Sequence, residues 1–214
     1  MSKFQGKKTD NAPITAKRDI RHEALNDISD PCVLEVFCGA GEMYRDVWHK
    51  ANDYLGIDKR KFFDERKTIC GDADKAIRLV DLNAYNIIDI DAYGSPYNIL
   101  DYISIHQMRA GRVAFIITDG SAMDLRMGRI SKGLRSLTGL KSHILKRASL
   151  IHDELIVAVI DEVARRLQKH VIKTRIAKGR TGSGMRYYYF LLSDAEESLA
   201  DCGSHQVNTV ASLV

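Results

Sequence analysis

Short apolar runs alternate with longer mixed segments along most of the chain, and this alternation predicts an α/β protein. Five of these runs are short and rich in apolar residues, as the buried strands of a parallel sheet are: residues 32–37, 54–57, 68–70, 85–90 and 113–118. The segments between them carry apolar residues at helical spacing: residues 41–52, 73–80, 98–108 and 149–170.

Two further runs, residues 171–177 and 185–192, flank the glycine-rich stretch 178–184 near the end of the chain. Two β-rich runs joined in this way predict an antiparallel hairpin. The order of elements therefore predicts a doubly wound, Rossmann-like sheet of seven strands, mostly parallel and closed by an antiparallel C-terminal hairpin.

The length of 214 residues and a hydrophobic content of 45% fit one folded domain, which we place at residues 31–193. Residues 1–30 are polar and basic, and residues 18–25 within them favour a short helix. They predict a basic N-terminal arm, either a disordered tail or an arm that contacts nucleic acid. Residues 194–214 are acidic and then small and polar, which predicts a C-terminal tail.

Apolar runs in this chain stay far shorter than the roughly 20 residues that a membrane-spanning helix needs. The first eight residues also have no apolar signal core. We therefore expect a soluble, cytoplasmic protein that has no membrane partner. The four cysteines form no C-x-x-C pair and the seven histidines are scattered, so we expect no metal cofactor.

The net charge of +4 is unevenly distributed. The basic segment 125–148, predicted as an insertion in the domain, has no acidic residue and carries seven cations: Arg126, Arg129, Lys132, Arg135, Lys141, Lys146 and Arg147. One-sided charge of this kind predicts contacts to phosphates, and a solvated loop is the alternative.

The first predicted strand ends in Gly39-Ala40-Gly41, which opens a predicted helix. Glycine lets a ligand approach the backbone, and a helix N-terminus offers free N–H groups. Tyr44 breaks the dinucleotide fingerprint G-x-G-x-x-G, so a plain tight turn stays an alternative. Glu35 strengthens the prediction of a ligand site, because a carboxylate in a buried strand needs a partner.

Carboxylates also follow the second and third predicted strands. Asp58 lies 17 residues after Gly41, where a carboxylate can accept both hydroxyls of a ribose. Asp72 follows Gly71 and predicts either a contact to an adenine amino group or the N-cap of the next helix.

The fourth predicted strand runs into Asp91-Ala92-Tyr93-Gly94-Ser95-Pro96. Asp91 can accept a hydrogen bond from an amine N–H, and Tyr93 offers a flat surface on which a base can stack. The alternative is a turn with an incidental tyrosine.

Taken together, these motifs resemble the class I S-adenosylmethionine-dependent methyltransferases over residues 31–193. Asp58 resembles the ribose-binding carboxylate of that family, and Asp72 resembles its adenine contact. The stretch 35–41 resembles its first motif, which implies that S-adenosyl-L-methionine is bound by Glu35, Phe37, Gly39 and Gly41.

Residues 89–96 are similar to the Asp-Leu-Asp-Pro-Tyr/Phe-Gly-Ser-Pro motif of the tRNA guanine-N2 dimethyltransferases. Ala92 departs from that motif, because the family has a proline there, which stiffens the turn. The similarity implies catalytic roles for Asp91 and Tyr93, a cofactor contact for Asp89, and substrate contacts for Ser95 and Pro96.

The resemblance implies methyl transfer to an exocyclic amine of a nucleic-acid base, with RNA favoured over DNA. Phosphate contacts would then come from Arg126, Arg129, Lys132 and Arg135. Two alternatives stay open: a methyltransferase for a small molecule or a protein, and a non-catalytic module of the same fold that binds cofactor or nucleic acid.

Overall fold

Seven strands form one mixed sheet in the computed structural model, which describes residues 14–179 and 184–194. In chain order the strands are β1 (Cys32–Val36), β2 (Asp53–Asp58), β3 (Thr68–Cys70), β4 (Ile87–Asp91), β5 (Arg112–Asp119), β6 (His170–Lys178) and β7 (Arg186–Ser193). Their order across the sheet is β3-β2-β1-β4-β5-β7-β6. Strands β1 to β5 are parallel, and β7 is antiparallel to both β5 and β6. The predicted fold class is confirmed.

Helices cover both faces of this sheet. They are α1 (Ile14–Asp27), α2 (Glu42–Asp46), α3 (Ala73–Ala76), α4 (Tyr97–Ser104), α5 (Ala122–Arg126), α6 (Lys132–Thr138) and α7 (His152–Leu167). Short 3-10 turns lie at Trp48–Lys50, Ile77–Leu79, Leu82–Ala84 and Ala148–Ile151. None of the helices in the described residues is long and apolar enough to cross a bilayer.

Two apolar clusters, one on each face, follow from the alternation of side chains along the strands. On β1, Val33 packs under α1 and α2, whereas Leu34 packs under α3, α4, α6 and α7 on the other face. On β4, Ile87 likewise faces α1 and Ile88 faces the other way. Glu35 shares the α1 face with Val33, because it stands two residues further along the strand.

The N-terminal helix is the main departure from the sequence prediction. Residues 1–30 were predicted as an arm, but α1 packs on the sheet, and its Ile20 and Ala24 are buried without exposure. Glu23 and Asp27 continue the contact through ion pairs to Lys173 on β6. The basic composition is misleading here, because the side chains of Lys17 and Arg21 lie inside the domain rather than in solvent. Residues 1–13 lie outside the described residues.

The basic segment 125–148 is also part of the domain and not an inserted loop. Leu134 and Leu137 of α6 are buried in the core. Gly133 brings α6 close to the start of α4, because a Cβ at this position would lie 2.3 Å from the carbonyl oxygen of Tyr97. The predicted C-terminal tail lies outside the described residues from residue 195 onward.

Candidate functional site

A cavity of about 1230 Å³ opens at the carboxyl ends of the parallel strands, where ligands bind in open α/β sheets. It brings together many of the residues that the sequence predicted as functional: Glu35, Phe37, Gly39, Asp58, Asp72, Asp91, Tyr93 and Ser95. These residues come from four strand ends that are far apart in the chain. Their assembly in one cavity follows from the parallel order of β1 to β4.

Carboxylates dominate the inner wall of this cavity. Glu35 is almost completely buried and accepts a hydrogen bond from the Tyr54 hydroxyl at 2.6 Å. Burial, with the nearby charge of Asp89, raises the pKa of Glu35 to about 8. Asp58 ends β2 and is also largely buried. A cavity with this lining favours a ligand that carries positive charge or hydrogen-bond donors.

Asp58 is held by backbone donors from both sides. Its Oδ2 accepts from the Gly39 N–H at 3.0 Å, and its Oδ1 accepts from the Arg60 N–H at 2.8 Å. Each carboxylate oxygen has a second lone pair, so these bonds orient Asp58 and leave it able to accept hydroxyl groups from a ligand. The geometry therefore suits the predicted contact to a ribose.

The turn after β1 is fixed from behind by Arg66. The guanidinium of Arg66 donates to the carbonyl oxygens of Cys38 at 3.4 Å and Gly39 at 3.2 Å. Gly41 has a φ of +78°, and a Cβ there would lie 2.6 Å from the Arg66 side chain. Gly41 was predicted to contact the cofactor, but it lies outside the cavity lining and makes room for Arg66 instead.

Asp72 stands at the N-cap position of α3, yet its side chain makes no capping hydrogen bond. Its carboxylate is exposed and lines the cavity. Of the two sequence interpretations, the N-cap therefore receives no support from the side-chain contacts, and Asp72 stays a candidate contact for a ligand.

Asp91 meets two cations from α1 in the cavity. Its Oδ1 accepts from Lys17 Nζ at 2.7 Å and lies 3.8 Å from the Arg21 guanidinium. Burial raises the pKa of Asp91, but Arg21 and Lys17 outweigh it and hold that pKa below its usual value. Asp91 is therefore ionised at neutral pH. Lys17 itself lines the cavity and was not predicted from the sequence.

We call residues 91–96 the β4 turn. Tyr93 projects from it with 77% of its surface exposed, as a ring that stacks on a ligand must. Gly120 donates its N–H to the Gly94 carbonyl at 2.9 Å. Ser95 Oγ lies 3.2 Å from the Oγ of Ser131, the residue just before α6. These two contacts fix the turn, although Ala92 replaces the proline of the related motif.

Gly120 is at the β4 turn for a steric reason. A Cβ at this position would lie 2.1 Å from the Tyr93 carbonyl oxygen, so only glycine permits this approach. Asp119, just before it, is fully buried and lies 2.5 Å from the Tyr97 hydroxyl and 2.7 Å from His152 Nε2. Asp119 thereby holds the first residues of α4 and α7 against the end of β5.

Several predicted site residues lie elsewhere. Asp89 was predicted to contact the cofactor, but it is fully buried under α1, where Arg21 donates two hydrogen bonds to it and Trp48 Nε1 a third. Burial raises the pKa of Asp89, against the opposing effect of Arg21. Pro96 is buried at the start of α4 and lies outside the cavity lining.

The four cations predicted to bind substrate also lie outside the cavity lining. Arg126 is on α5, Arg129 follows it, and Lys132 is on α6; all three are exposed. Arg135 is half-buried on α6, and its guanidinium contacts the Lys141 carbonyl at 3.5 Å. The four residues therefore belong to a surface beside the cavity.

Sequence reasoning missed Lys17, Arg66, Gly120 and Asp119. Gly120 and Asp119 had a usable signal, since Asp119 ends β5 and Gly120 follows it, much as carboxylates and glycines stand at the ends of the other strands. Lys17 and Arg66 act over long sequence separations, and their neighbours along the chain give no such signal.

Solved structures with the same fold include proteins that bind the expected cofactor. Trm1 from Pyrococcus horikoshii, solved with S-adenosyl-L-methionine, matches with a TM-score of 0.57 and 16% identity, over 85% of this chain and 55% of its own. The N-methyltransferase NodS from Bradyrhizobium japonicum, solved with S-adenosyl-L-homocysteine, matches with a TM-score of 0.52 and 12% identity, over 87% and 90%.

A protein from Lactococcus lactis described as a hemolysin matches with a TM-score of 0.56 and 15% identity, over 87% of this chain and 90% of its own. No protein-family model matches this chain, and no curated protein matches it by sequence. At these identities the likeness establishes the fold, so the resemblance to class I methyltransferases is confirmed at that level. The chain spans about half the length of Trm1.

Proposed function

We propose that this protein is an S-adenosylmethionine-dependent methyltransferase whose cofactor lies in the cavity at the carboxyl ends of β1 to β4. The observation that carries the proposal is the convergence of Glu35, Asp58, Asp72 and Asp91 on one cavity next to the Gly39 turn. Trm1 and NodS, two proteins of the same fold, were solved with the cofactor or its demethylated product bound.

Each part of the cofactor has a candidate partner in the cavity. Asp58 would accept the ribose hydroxyls, and Asp72 would accept from the adenine amino group. Gly39 and Glu35 would hold the methionine part, and the cationic amine placed beside Glu35 would lower the raised pKa of that carboxyl and favour its ionised form. When bound, the cofactor supplies an electrophilic methyl group on a positively charged sulfur. The acidic wall of the cavity favours that charge.

We propose an exocyclic amine of a nucleic-acid base as the methyl acceptor, with RNA favoured over DNA. Tyr93 would stack on the base, and Asp91 would accept one amine N–H. Lys17 and Arg21 of α1 lie on the Oδ1 side of Asp91, so we assign Oδ2 to the amine. Positioning of this kind, together with a fixed negative charge, is how such a site accelerates transfer.

The exposed cations Arg126, Arg129 and Lys132 support a nucleic-acid substrate, because they lie beside the segment that anchors the β4 turn through Ser131. The similarity to Trm1, a tRNA guanine-N2 dimethyltransferase, favours RNA. Its substrate is not taken over directly, because this chain spans 55% of that protein.

A small-molecule or protein acceptor is the second candidate. NodS, described as an N-methyltransferase, is matched over 90% of its own length, so a chain of similar extent with this fold supports this candidate. With such an acceptor, affinity for RNA and DNA would be weak, and neutralising the cations of α5 and α6 would leave methyl transfer unchanged.

The test is methyl transfer from tritiated S-adenosyl-L-methionine to total tRNA, ribosomal RNA and DNA. Asp91→Ala should abolish transfer and keep the affinity for S-adenosyl-L-homocysteine, measured by calorimetry, within a few-fold. Asp91→Asn keeps the shape of the side chain and should also be inactive. The matched control is Asp161→Asn on the exposed face of α7, which should behave as the wild type.

Activity that survives in both Asp91 variants would refute the role of this residue. Cofactor binding without transfer to any acceptor would favour the non-catalytic module.

A further inference from the structure

The loop between β2 and β3, residues 59–67, combines cations with two adjacent phenylalanines at the edge of the cavity. Its first two residues, Lys59 and Arg60, line the cavity next to Asp58. The function proposed above does not use the residues beyond them. We propose that this β2–β3 loop is a second contact for single-stranded nucleic acid; the inference rests on the proposed nucleic-acid substrate.

Two of the five cations in the loop serve its internal structure. Arg66 is buried and pairs with Asp64 at 2.7 Å, and Lys67 pairs with Asp53 at 2.7 Å. The other three cations, Lys59, Arg60 and Lys61, are exposed on the outer part of the loop, although Arg60 Nε also lies 3.6 Å from Asp58 Oδ1. This part of the loop therefore presents positive charge, which attracts a phosphate backbone.

The phenylalanines lie among these cations. Phe62 is half-buried between Arg60 and Arg66, whose guanidinium carbons are 5.2 and 5.4 Å from the ring centre. Phe63 has 89% of its surface exposed, and Lys61 Nζ lies 4.9 Å from its ring centre. Exposed rings set among cations are the feature that non-sequence-specific binders of single strands use for stacking bases and holding phosphates.

The loop is anchored at both ends, so it presents these groups in a fixed position. Arg66 ties its end to the carbonyl oxygens of the turn after β1, at Cys38 and Gly39. At its start, the Asp58 carboxylate accepts the backbone N–H of Arg60 at 2.8 Å. A preordered surface loses less entropy when it binds a flexible strand.

The charge distribution of the cavity explains why the backbone of a substrate would lie on this rim. The carboxylates that line the cavity would repel phosphates, so the backbone would stay near Lys59 and Arg60 at the rim while the target base enters. Cations stand on both sides of the opening, on the β2–β3 loop and on α5 and α6. Three inter-strand spacings separate β2 from β5, or about 14 Å, a distance that a short single-stranded segment spans.

The experiment measures binding of a fluorescein-labelled, mixed-sequence RNA 12-mer by anisotropy at several salt concentrations. Phe63→Ala should weaken binding about 5- to 150-fold, the equivalent of the 1–3 kcal/mol that base stacking contributes. Lys61→Ala should reduce the slope of log K against log salt by about 0.7, the value for one phosphate contact on a single strand. Both variants should bind S-adenosyl-L-homocysteine as the wild type does.

Matched controls come from the opposite end of the sheet. Ile105→Ala removes an exposed hydrophobic side chain after α4, and Arg109→Ala removes an exposed cation before β5. Both should leave RNA affinity unchanged.

Two results would overturn the inference. In the first, the wild type binds RNA but the Phe63 and Lys61 variants bind with the same affinity and salt slope. In the second, Phe63→Ala changes only the oligomeric state in light scattering, which would make the loop an interface between copies. A wild type that binds cofactor but no RNA would instead refute the proposed nucleic-acid substrate, which separates the two failures.

Discussion

Replacing Arg21 with methionine tests whether α1 is an integral part of the domain. Arg21 is buried, and its guanidinium donates to both oxygens of Asp89, each at 2.7 Å. It also donates to the Lys17 carbonyl oxygen at 3.0 Å. Methionine keeps much of the apolar stem but removes the charge and these donors. Asp89 would then be a buried carboxylate without its cationic partner.

The expected loss of stability is large for a single substitution. Breaking a buried ion pair by removing one partner costs about 3–5 kcal/mol, because the other charge stays buried without compensation. A domain of this kind is stable by about 5–15 kcal/mol, so the variant would lose about a fifth of its stability or more.

Urea denaturation measures this loss, with two optical signals that report different parts of the fold. Trp48 is the only tryptophan of the chain and donates its indole N–H to Asp89 at 2.9 Å, so its fluorescence reports the altered pair directly. Far-ultraviolet circular dichroism reports the sheet and helices. Agreement between the two signals would show one cooperative transition.

Two companion variants separate the buried pair from general effects of charge. Arg18→Ala breaks the exposed pair with Asp46 and should cost at most about 1 kcal/mol. The double variant Arg21→Met with Asp89→Leu removes both buried charges and should recover much of the stability. If Arg21→Met costs no more than Arg18→Ala, then α1 does not pack on β4, and the reasoning about this helix is refuted.

Three further variants test the site. The pKa of Glu35 is about 8 in the folded protein against an ordinary value of 4.5, so the folded protein keeps this proton to higher pH and the wild-type free energy of unfolding should fall between about pH 5 and 8. Glu35→Gln should lose less free energy of unfolding over that range in urea melts, and equal losses would contradict the pKa shift. Lys17→Met should raise the pKa of Asp91 and move the acid limb of the pH–activity profile upward, while Lys17→Arg should not. Gly120→Ala should displace the β4 turn and reduce methyl transfer far more than Gly111→Ala, whose Cβ meets only an atom 3.8 Å away; equal activities would refute the steric argument.

The sheet was largely predictable from the sequence, because a buried strand leaves a run of apolar residues. Residues 68–70 were predicted as a strand and form β3, and residues 113–118 lie within β5. The helices that follow the strands were predicted in the right places, but their predicted ranges were too long. Residues 41–52, for example, form α2 and a separate 3-10 turn, because Val47 leaves the helical conformation with a φ of −135°.

The role of α1 was not predictable from composition, because it depends on two patterns that meet only in the fold. Lys17 and Arg21 are four residues apart and share one face of a helix. Asp89 and Asp91 are two residues apart and share one face of β4. Neither pattern shows in the sequence that it faces the other. The cations were therefore assigned to a basic arm, either a disordered tail or a contact to nucleic acid, and Asp89 was assigned to the cofactor.

The candidate site was predictable where it depends on chain order, and it was not where it depends on packing. Asp58 and Asp91 could be found because each ends a parallel strand, and parallel strands bring their ends together. Gly41 lies outside the cavity lining, and its φ of +78° favours glycine there whether or not a ligand is bound; the Arg66 guanidinium that packs against it comes from a loop 25 residues later in the chain.

The most direct test of the central claim is a crystal structure of the protein with S-adenosyl-L-homocysteine. We expect density for the ligand in the cavity at the ends of β1 to β4, with the ribose hydroxyls on Asp58 and the adenine beside Asp72. An empty cavity at millimolar ligand, or a ligand bound elsewhere on the protein, would contradict the proposed function.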